Sequence, residues 1–483
     1  MKKLLFLALL FAGSLSAQQW NLTLGNESKE LKMKRNDVQH LLYIGGNSQQ
    51  FYLLRHDVKE DYDYLVAYNF NLEEQHRVRI ESGKHISYVG GFLNGDVVSL
   101  MGFTQQGNSF KAFRERYDAA TLKSTEGRTE LYNLNHRDAG KLSTTMRSSQ
   151  SGEWLAAFYV LPTNNDAEAR VSLYDTELDE MWNMDVTLSA LDDYYVSDSG
   201  EVILAVFYNA TKDQDGSLTF TVLDGEREQS YTTGDIADSI YSIDIVKCSG
   251  DIIYCTGLLR GERQDNKDDW VSGFFSLAYD RKSKTLSHYE KHLFSKTDIC
   301  RLCNVGERAS LPKLSVDKMS FAASRALSNG SLVVYERFYN LYVNGAYMQS
   351  ERGGLLCLRI DDQGHITASN ITRRQLNYYN ELRGSAFTTI VESQGVPYIA
   401  TIDNAKNSDA QISRPFKSAD AARSSSSLLM LHFGDNGDFQ RQYLQRPSSC
   451  INLSRPVLLD DGSYLMLFGS DFNSFAGKLK LAR

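Results

Sequence analysis

Cys300-Arg-Leu-Cys303 is the spacing in this sequence that most suggests chemistry. Thiol redox sites and zinc sites both use a Cys-x-x-Cys pair. His288 and His292 lie just upstream, so the full string is His-x3-His-x7-Cys-x2-Cys, a four-ligand set for one zinc. Two observations weigh against these uses. No alternating strand and helix pattern of the thioredoxin kind surrounds the pair. Leu286–Leu293 (LSHYEKHL) reads as a strand. At that rise the two histidine Cα atoms stand ~13 Å apart, too far to share an ion, and only a helix would make them neighbours. The expectation is no metal and no cofactor. Cys300 and Cys303 are then either bridged to each other or inert thiols.

The chain has six cysteines: Cys248, Cys255, Cys300, Cys303, Cys357 and Cys450. An even count permits disulfides in an exported protein. Cys248 and Cys255 flank a tight turn at Ser249-Gly250, out of register for pairing. Other constellations are weak. Asp213-Gln214-Asp215-Gly216 lacks the alternating ligands and terminal Glu of a calcium loop and reads as a turn. Asp198-Ser199-Gly200 and Asp362-Gln363-Gly364 resemble part of the Asp-box of sialidase propellers. They lack its preceding Ser and following Thr-Trp, and read as β-turns. Asp192-Asp193 and Asp268-Asp269 could serve a glycosidase, but neighbours on a strand point to opposite faces. No GxSxG, HExxH or phosphate-binding loop occurs. The sequence assigns no catalytic residue, and the weight falls on a non-enzyme.

The elements that would position any site are more legible. A Gly-containing turn followed at once by an apolar run recurs at Gly46, Gly95, Gly152, Gly200, Gly250, Gly330, Gly395 and Gly462. The spacings are 49, 57, 48, 50, 80, 65 and 67 residues. In one unit, Tyr241–Cys248, Asp251–Arg260, Gly273–Asp280 and the more polar Leu286–Leu293 read as successive strands. Continuous apolar runs belong to covered central strands and the polar run to an outer edge. Repetition of such a four-stranded antiparallel unit resembles a β-propeller. The expectation is an all-β chain of eight four-stranded blades, with seven as the next count because the unit near Gly152 has a weak first strand. Sandwich and solenoid arrangements use similar units.

The last unit supplies strands near Ser454–Leu459, Ser463–Gly469 and Phe475–Leu481 and lacks a fourth. Trp20–Leu24 or Leu31–Arg35 would complete it and close the ring. Leu376, Tyr379 and Leu382, followed by Gly384, predict a short helix over Thr372–Arg383. Only six prolines occur, so turns rest on Gly, Asn and Asp.

In each unit the second-to-third-strand connection varies most. The long ones are Leu259–Asp269, Phe338–Arg352 and Asp403–Ser425. In an antiparallel unit they all leave on one face of the ring, where a rigid scaffold presents recognition residues. The candidate binding residues are Arg260, Trp270, Tyr339, Tyr342, Tyr347, Arg414 and Phe416. Aromatics with Arg suit a glycan or protein partner.

Lys2-Lys3, the apolar run Leu4–Ala12 and the small residues up to Ala17 have the layout of a signal peptide. The run is too short to cross a bilayer as a helix, which needs about 20 residues. Cleavage near Ala17 leaves 18–483 as one propeller domain, and the layout resembles that of exported bacterial proteins. Periplasmic, secreted or cell-surface placement follows, with no later segment of transmembrane length. A net charge of −8 excludes the basic footprint of a nucleic-acid binder. The expected function is recognition of a glycan or protein at the envelope. A propeller glycoside hydrolase or polysaccharide lyase and a structural subunit of an envelope complex are the alternatives.

Overall fold

The computed structural model describes residues 19–28, 41–57, 62–80, 85–162, 167–188, 190–208, 216–236, 239–261, 270–306, 316, 318–343, 347–379, 387–408, 414–420, 426–446, 451–452, 454, 456–469 and 474–482. The first eighteen residues, with the signal-like run, lie outside these. Among the described residues, no helix is long and apolar enough to cross a membrane.

The strands form eight separate antiparallel sheets, one per blade. Blade five, for example, consists of Ile240–Ser249, Ile252–Arg260, Val271–Asp280 and Thr285–Leu293. Blade three includes the weak first strand after all, at Ser143–Ser148. The recurrent glycines each occupy the turn from the inner to the second strand. Seven of them have positive φ, where a Cβ would clash with its own backbone. Gly330 is the tightest of these, because a Cβ there would lie 1.9 Å from the Ile360 carbonyl. The second and third strands are the apolar ones, and both faces of each press on a neighbouring blade.

Eight apolar clusters result, one at each seam between consecutive blades. The seam of blades eight and one (Leu465 and Leu467 against Phe51 and Leu53) completes the circle. Blade eight owes its closure to the other end of the chain. Trp20–Leu24 pairs antiparallel with Ser474–Leu481, from Trp20 opposite Leu481 to Leu24 opposite Gly477. Trp20 is buried edge-on against Tyr398 of blade seven at 5.2 Å between ring centres. The Gln442 amide donates to the Trp20 carbonyl and accepts from its amide, both at 2.7 Å.

Blade six departs from the common plan. Its second and third strands run Gly330–Val343 and Tyr347–Ile360, well beyond the other blades. Leu376–Tyr379 adds to the projecting part of the third strand, and Ala419–Asp420 adds to that in parallel. Much of the segment expected as a loop at Phe338–Arg352 is therefore a hairpin. The helix expected over Thr372–Arg383 is not formed in its described part. The backbone there ends one strand at Thr372 and begins another at Leu376. Leu376 is fully buried, and Arg373 and Arg374 are 1% exposed, which a surface helix would not allow.

A helix does form at Lys296–Leu302, between blades five and six. Ser295 caps it and Asp298 reciprocates, donor and acceptor exchanged at 3.2 and 2.9 Å. Cys300 lies in it as a fully buried free thiol and Cys303 is its C-cap, so the local bridge is absent. Cys248 and Cys255 are also free; Cys248 faces Ile253, and Cys255 faces Ile245. His288 and His292 lie on the outer strand of blade five, one against His365 and the other stacked on Phe274.

Candidate functional site: the ring cavity beside blade six

The inner strands of blades six, seven, eight and one enclose a cavity of about 950 Å³. Its wall carries Phe321 and Arg325 from the inner strand of blade six, and Glu336, Phe338 and Arg352 from the long hairpin. Thr388 and Glu392 come from the inner strand of blade seven (Thr388–Ser393), and Tyr43 from that of blade one (Leu41–Gly46).

Alternation along the second strand of blade six explains the chemistry. Tyr335 points toward blade five and Glu336, one residue on, toward blade seven. Glu336 is 2% exposed, yet its carboxylate is fully engaged. Arg374 donates to Oε2 at 2.8 Å and the Thr388 hydroxyl to the same oxygen at 3.0 Å. Arg352 donates to Oε1. The Arg374 guanidinium is held by the Gly353 carbonyl at 3.1 Å, by Thr388 at 2.9 Å and by Thr401. Burial pulls the Arg374 pKa down, and the Glu336 charge opposes that. Behind this network Asp403 accepts from Tyr443 at 2.8 Å and Asn407 at 2.9 Å; burial raises its pKa, and those bonds oppose the rise. A second pair, Arg325 and Glu392 at 3.0 Å, spans blades six and seven further along the wall. Arg352 also stands 6.0 Å from the Phe338 ring centre.

One end of the ring is crossed by a side chain. The turn Ser149–Trp154, between the inner and second strands of blade three, reaches over to blade six. There the Gln150 side chain accepts from the Ala326 amide at 3.2 Å. The turn is also tied to blade four, with Ser151 donating to Asp198 at 2.9 Å and Trp154 to the Asp198 carbonyl at 3.1 Å. The long hairpin of blade six rises from the opposite face.

The candidate residues read from the sequence lie at strand ends, on the long hairpin and in connections of blades five to seven. Arg260 ends the second strand of blade five, exposed, and Trp270 is half-buried just before the third. Tyr339 and Tyr342 lie on one arm of the long hairpin and Tyr347 on the other, Tyr347 opposite Val343. Their side chains are outside the described residues. Arg414 is exposed. Phe416 is not on a free loop: it is 4% exposed, with the Arg441 guanidinium 4.9 Å from its ring centre. Asn304 clamps its backbone, accepting from its amide at 2.7 Å and donating to its carbonyl at 2.9 Å. Phe416 anchors the segment through this backbone clamp and its own burial. Sequence reasoning missed Glu336, Arg374, Arg325 and Glu392. The one local signal was a charge inside the apolar run of SLVVYERF.

No protein-family model matches the chain, and no curated protein does. Solved structures similar to it include the β-propeller domain of the Trilobed protease from Pyrococcus furiosus. That match has 10% identity and a TM-score of 0.35, covering 85% of this chain and 97% of that one. The polysaccharide lyase Uly1 matches at 12% identity and a TM-score of 0.37, over 96% of this chain and 99% of that one. A post-proline cleaving enzyme from Rickettsia typhi matches at 10% identity and a TM-score of 0.37, over 91% of this chain and 59% of that one. At these values the likeness assigns no chemistry.

Proposed function

We propose that the chain is an exported binding protein that takes a glycan into the ring cavity from the face bearing the long hairpin. The observation that carries this reading is the pairing of charges on the cavity wall. Arg352 with Glu336 and Arg325 with Glu392 each set a donor beside an acceptor. A charged group that drew Glu336 away from its guanidinium partners would strand a buried charge, which is costly. A sugar hydroxyl donates and accepts at once, so it meets both ends without breaking either. Phe321 and Phe338 add apolar surface for the faces of sugar rings.

The test is a glycan array on the purified chain, followed by calorimetric titration and a turnover assay on each hit. Saturable binding without turnover, weakened at least tenfold by Arg325→Ala, supports the reading. Turnover would replace it with an enzyme, and capture of a peptide in place of any glycan would replace it with protein recognition. Export is checked separately, by expressing the full chain in a bacterial host and sequencing the product's N-terminus, which should begin at Gln18. A cytoplasmic product retaining Met1 would remove that part of the reading.

A further inference from the structure

The turn Ser149–Trp154 of blade three reaches a blade that is not its neighbour in the circle. Blades four and five lie between it and blade six on one side, and blades seven, eight, one and two on the other. The inner strand of blade six, Met319–Leu327, is the terminal strand of its sheet. Alternate amides along such a strand have no partner in the blade and face the channel. The Ala326 amide is one of these, and its bond goes to the Gln150 side chain. The other end of this strap is fixed. The Ser149 amide donates to the Trp154 carbonyl at 2.8 Å, and the Trp154 amide donates back to the Ser149 hydroxyl at 3.2 Å. Gly152, at φ +79°, makes the reversal. The two bonds to Asp198 then tie the turn to blade four.

The strap lands beside the cavity. Arg325, the residue before Ala326, is on the cavity wall, paired with Glu392 at 3.0 Å. The other pair, Arg352 with Glu336, lies nearer the projecting part of the long hairpin. In the register of blade six, Glu336 stands opposite Ser320 and Arg325 opposite Leu332. The two levels are therefore separated by the strand from Leu332 to Glu336, ~13 Å at the rise of a strand. The cavity thus has a mouth, marked by Phe338 and Arg352, and a floor, marked by Arg325, Glu392 and the strap. Its volume of about 950 Å³ suits one enclosed small molecule, for which pockets run about 300–1,000 Å³, and not a passage for a polymer.

A ring open at both ends lets a polymer pass through. A ring barred at one end admits only what enters and leaves by the same mouth. We propose that the cavity is a blind pocket that takes the free end of a glycan, with Gln150 as the stop that keeps inner segments from threading the ring. This rests on the reading of the cavity as a glycan site and narrows it to one class of ligand. The leading sugar reaches the floor, where Arg325 offers donors and Glu392 an acceptor to its hydroxyls. The sugars behind it lie against Phe321 and Phe338. An inner segment cannot reach the floor, because a glycan that continues in both directions would have to leave past the strap. Gln150 thus selects between ligands without belonging to the wall that binds them.

The test is an array on which each oligosaccharide is presented to the purified protein in three forms: attached through its reducing end, attached through its non-reducing end, and capped with a bulky group at both ends. One of the singly attached forms should bind at least tenfold more tightly than the doubly capped form. Equal binding of all three overturns the blind pocket and leaves the glycan reading standing. Binding of no glycan removes that reading, and the proposal with it. Gln150→Ala should raise affinity for the doubly capped form at least tenfold. Gln150→Glu, which keeps an acceptor for the Ala326 amide, should not. A gain in both variants, or in neither, overturns Gln150 as the stop. Amide exchange at Ala326 in the unliganded protein checks the strap whether or not a glycan is found. It should quicken at least tenfold in Gln150→Ala and stay unchanged in Gln150→Glu. Unchanged exchange in Gln150→Ala would mean that the strap does not form in solution, and would also overturn the proposal.

Discussion

Glu336 shows how much a single side chain can carry in this ring. Its carboxylate accepts from two guanidinium groups and a hydroxyl while almost wholly shielded from water. Removing one partner of such a group leaves uncompensated charge in a low-dielectric wall, which costs about 3–5 kcal/mol. Glu336→Gln keeps the shape and loses the charge, so Arg352 and Arg374 are left facing an amide. The expected outcome is a loss of stability in that range, read as a lower urea midpoint with unchanged slope, together with loss of glycan binding. Arg325→Ala is the contrast. Its pair with Glu392 is more than a third exposed on the arginine side, and exposed pairs contribute at most about 1 kcal/mol. That variant should lose binding with little change in stability. A variant pair that behaved identically would mean that the two ion pairs do not differ in burial as described. Little of this was legible from sequence. Arg374 looks like an ordinary surface residue in TRRQL, and its partners Glu336, Thr388 and Thr401 lie on other strands. Burial of an arginine has no local signature.

The turns explain why the repeat itself could be read. Each blade must reverse direction tightly between its inner and second strands, and a left-handed backbone there selects Gly in seven of the eight units. The turn after the third strand carries a fainter mark that only the structure reveals. Tyr68-Asn69, Tyr117-Asp118, Tyr174-Asp175 and Tyr279-Asp280 all end third strands. In each, the Asx side chain accepts from backbone amides beyond it; Asp175, for one, takes those of Glu177 and Asp179 at 2.9 Å. Blade four substitutes Leu223-Asp224 and blade seven Phe433-Gly434, which hides the pattern from inspection. The helix expected over Thr372–Arg383 failed because Leu376 and Tyr379, apolar at helical spacing, belong to one short strand claimed by the extended hairpin of blade six. In three of these turns a leucine adopts positive φ: Leu72, Leu122 and Leu178. All three are buried in blade seams, so packing holds a backbone conformation that an L-residue resists by about 1–2 kcal/mol. Leu178 therefore predicts an inverted order of substitution. Leu178→Ala loses the packing, about 2–5 kcal/mol, and keeps the strain. Leu178→Gly loses the same packing and relieves it. In denaturant unfolding the glycine variant should be the more stable by about 1 kcal/mol, opposite to the usual helix or strand ranking. Alanine ahead of glycine would show that the strain is absent.

At the scale of the whole ring, stability is shared among eight seams that resemble one another, and closure decides whether they act together. Each seam needs a blade on both sides, so an open ring would expose two apolar faces at once. Blade eight is built from both ends of the chain, and its outer strand is held by five opposed residues, the buried Trp20 among them. If that strand detached, Tyr398 and Tyr464 would lose their cover and the seam of blades seven and eight would be the first to admit water. Closure at this blade is thus the element most dependent on long-range pairing, and it should be the last to form, since contacts between distant segments carry the largest loop-closure cost. Asn21 and Lys480 stand opposite each other in the register, both with exposed side chains. Replacing both by cysteine should allow a disulfide that ties the ring shut without disturbing the core. For a loop of nearly the whole chain the gain is up to about 4–5 kcal/mol, less any strain. The oxidised protein should melt higher than the reduced one, and amide exchange at Tyr464–Gly469 should slow more than exchange in blades three and four. Equal slowing everywhere would mean that the ring opens as one unit; no slowing at blade eight would mean that it opens elsewhere first.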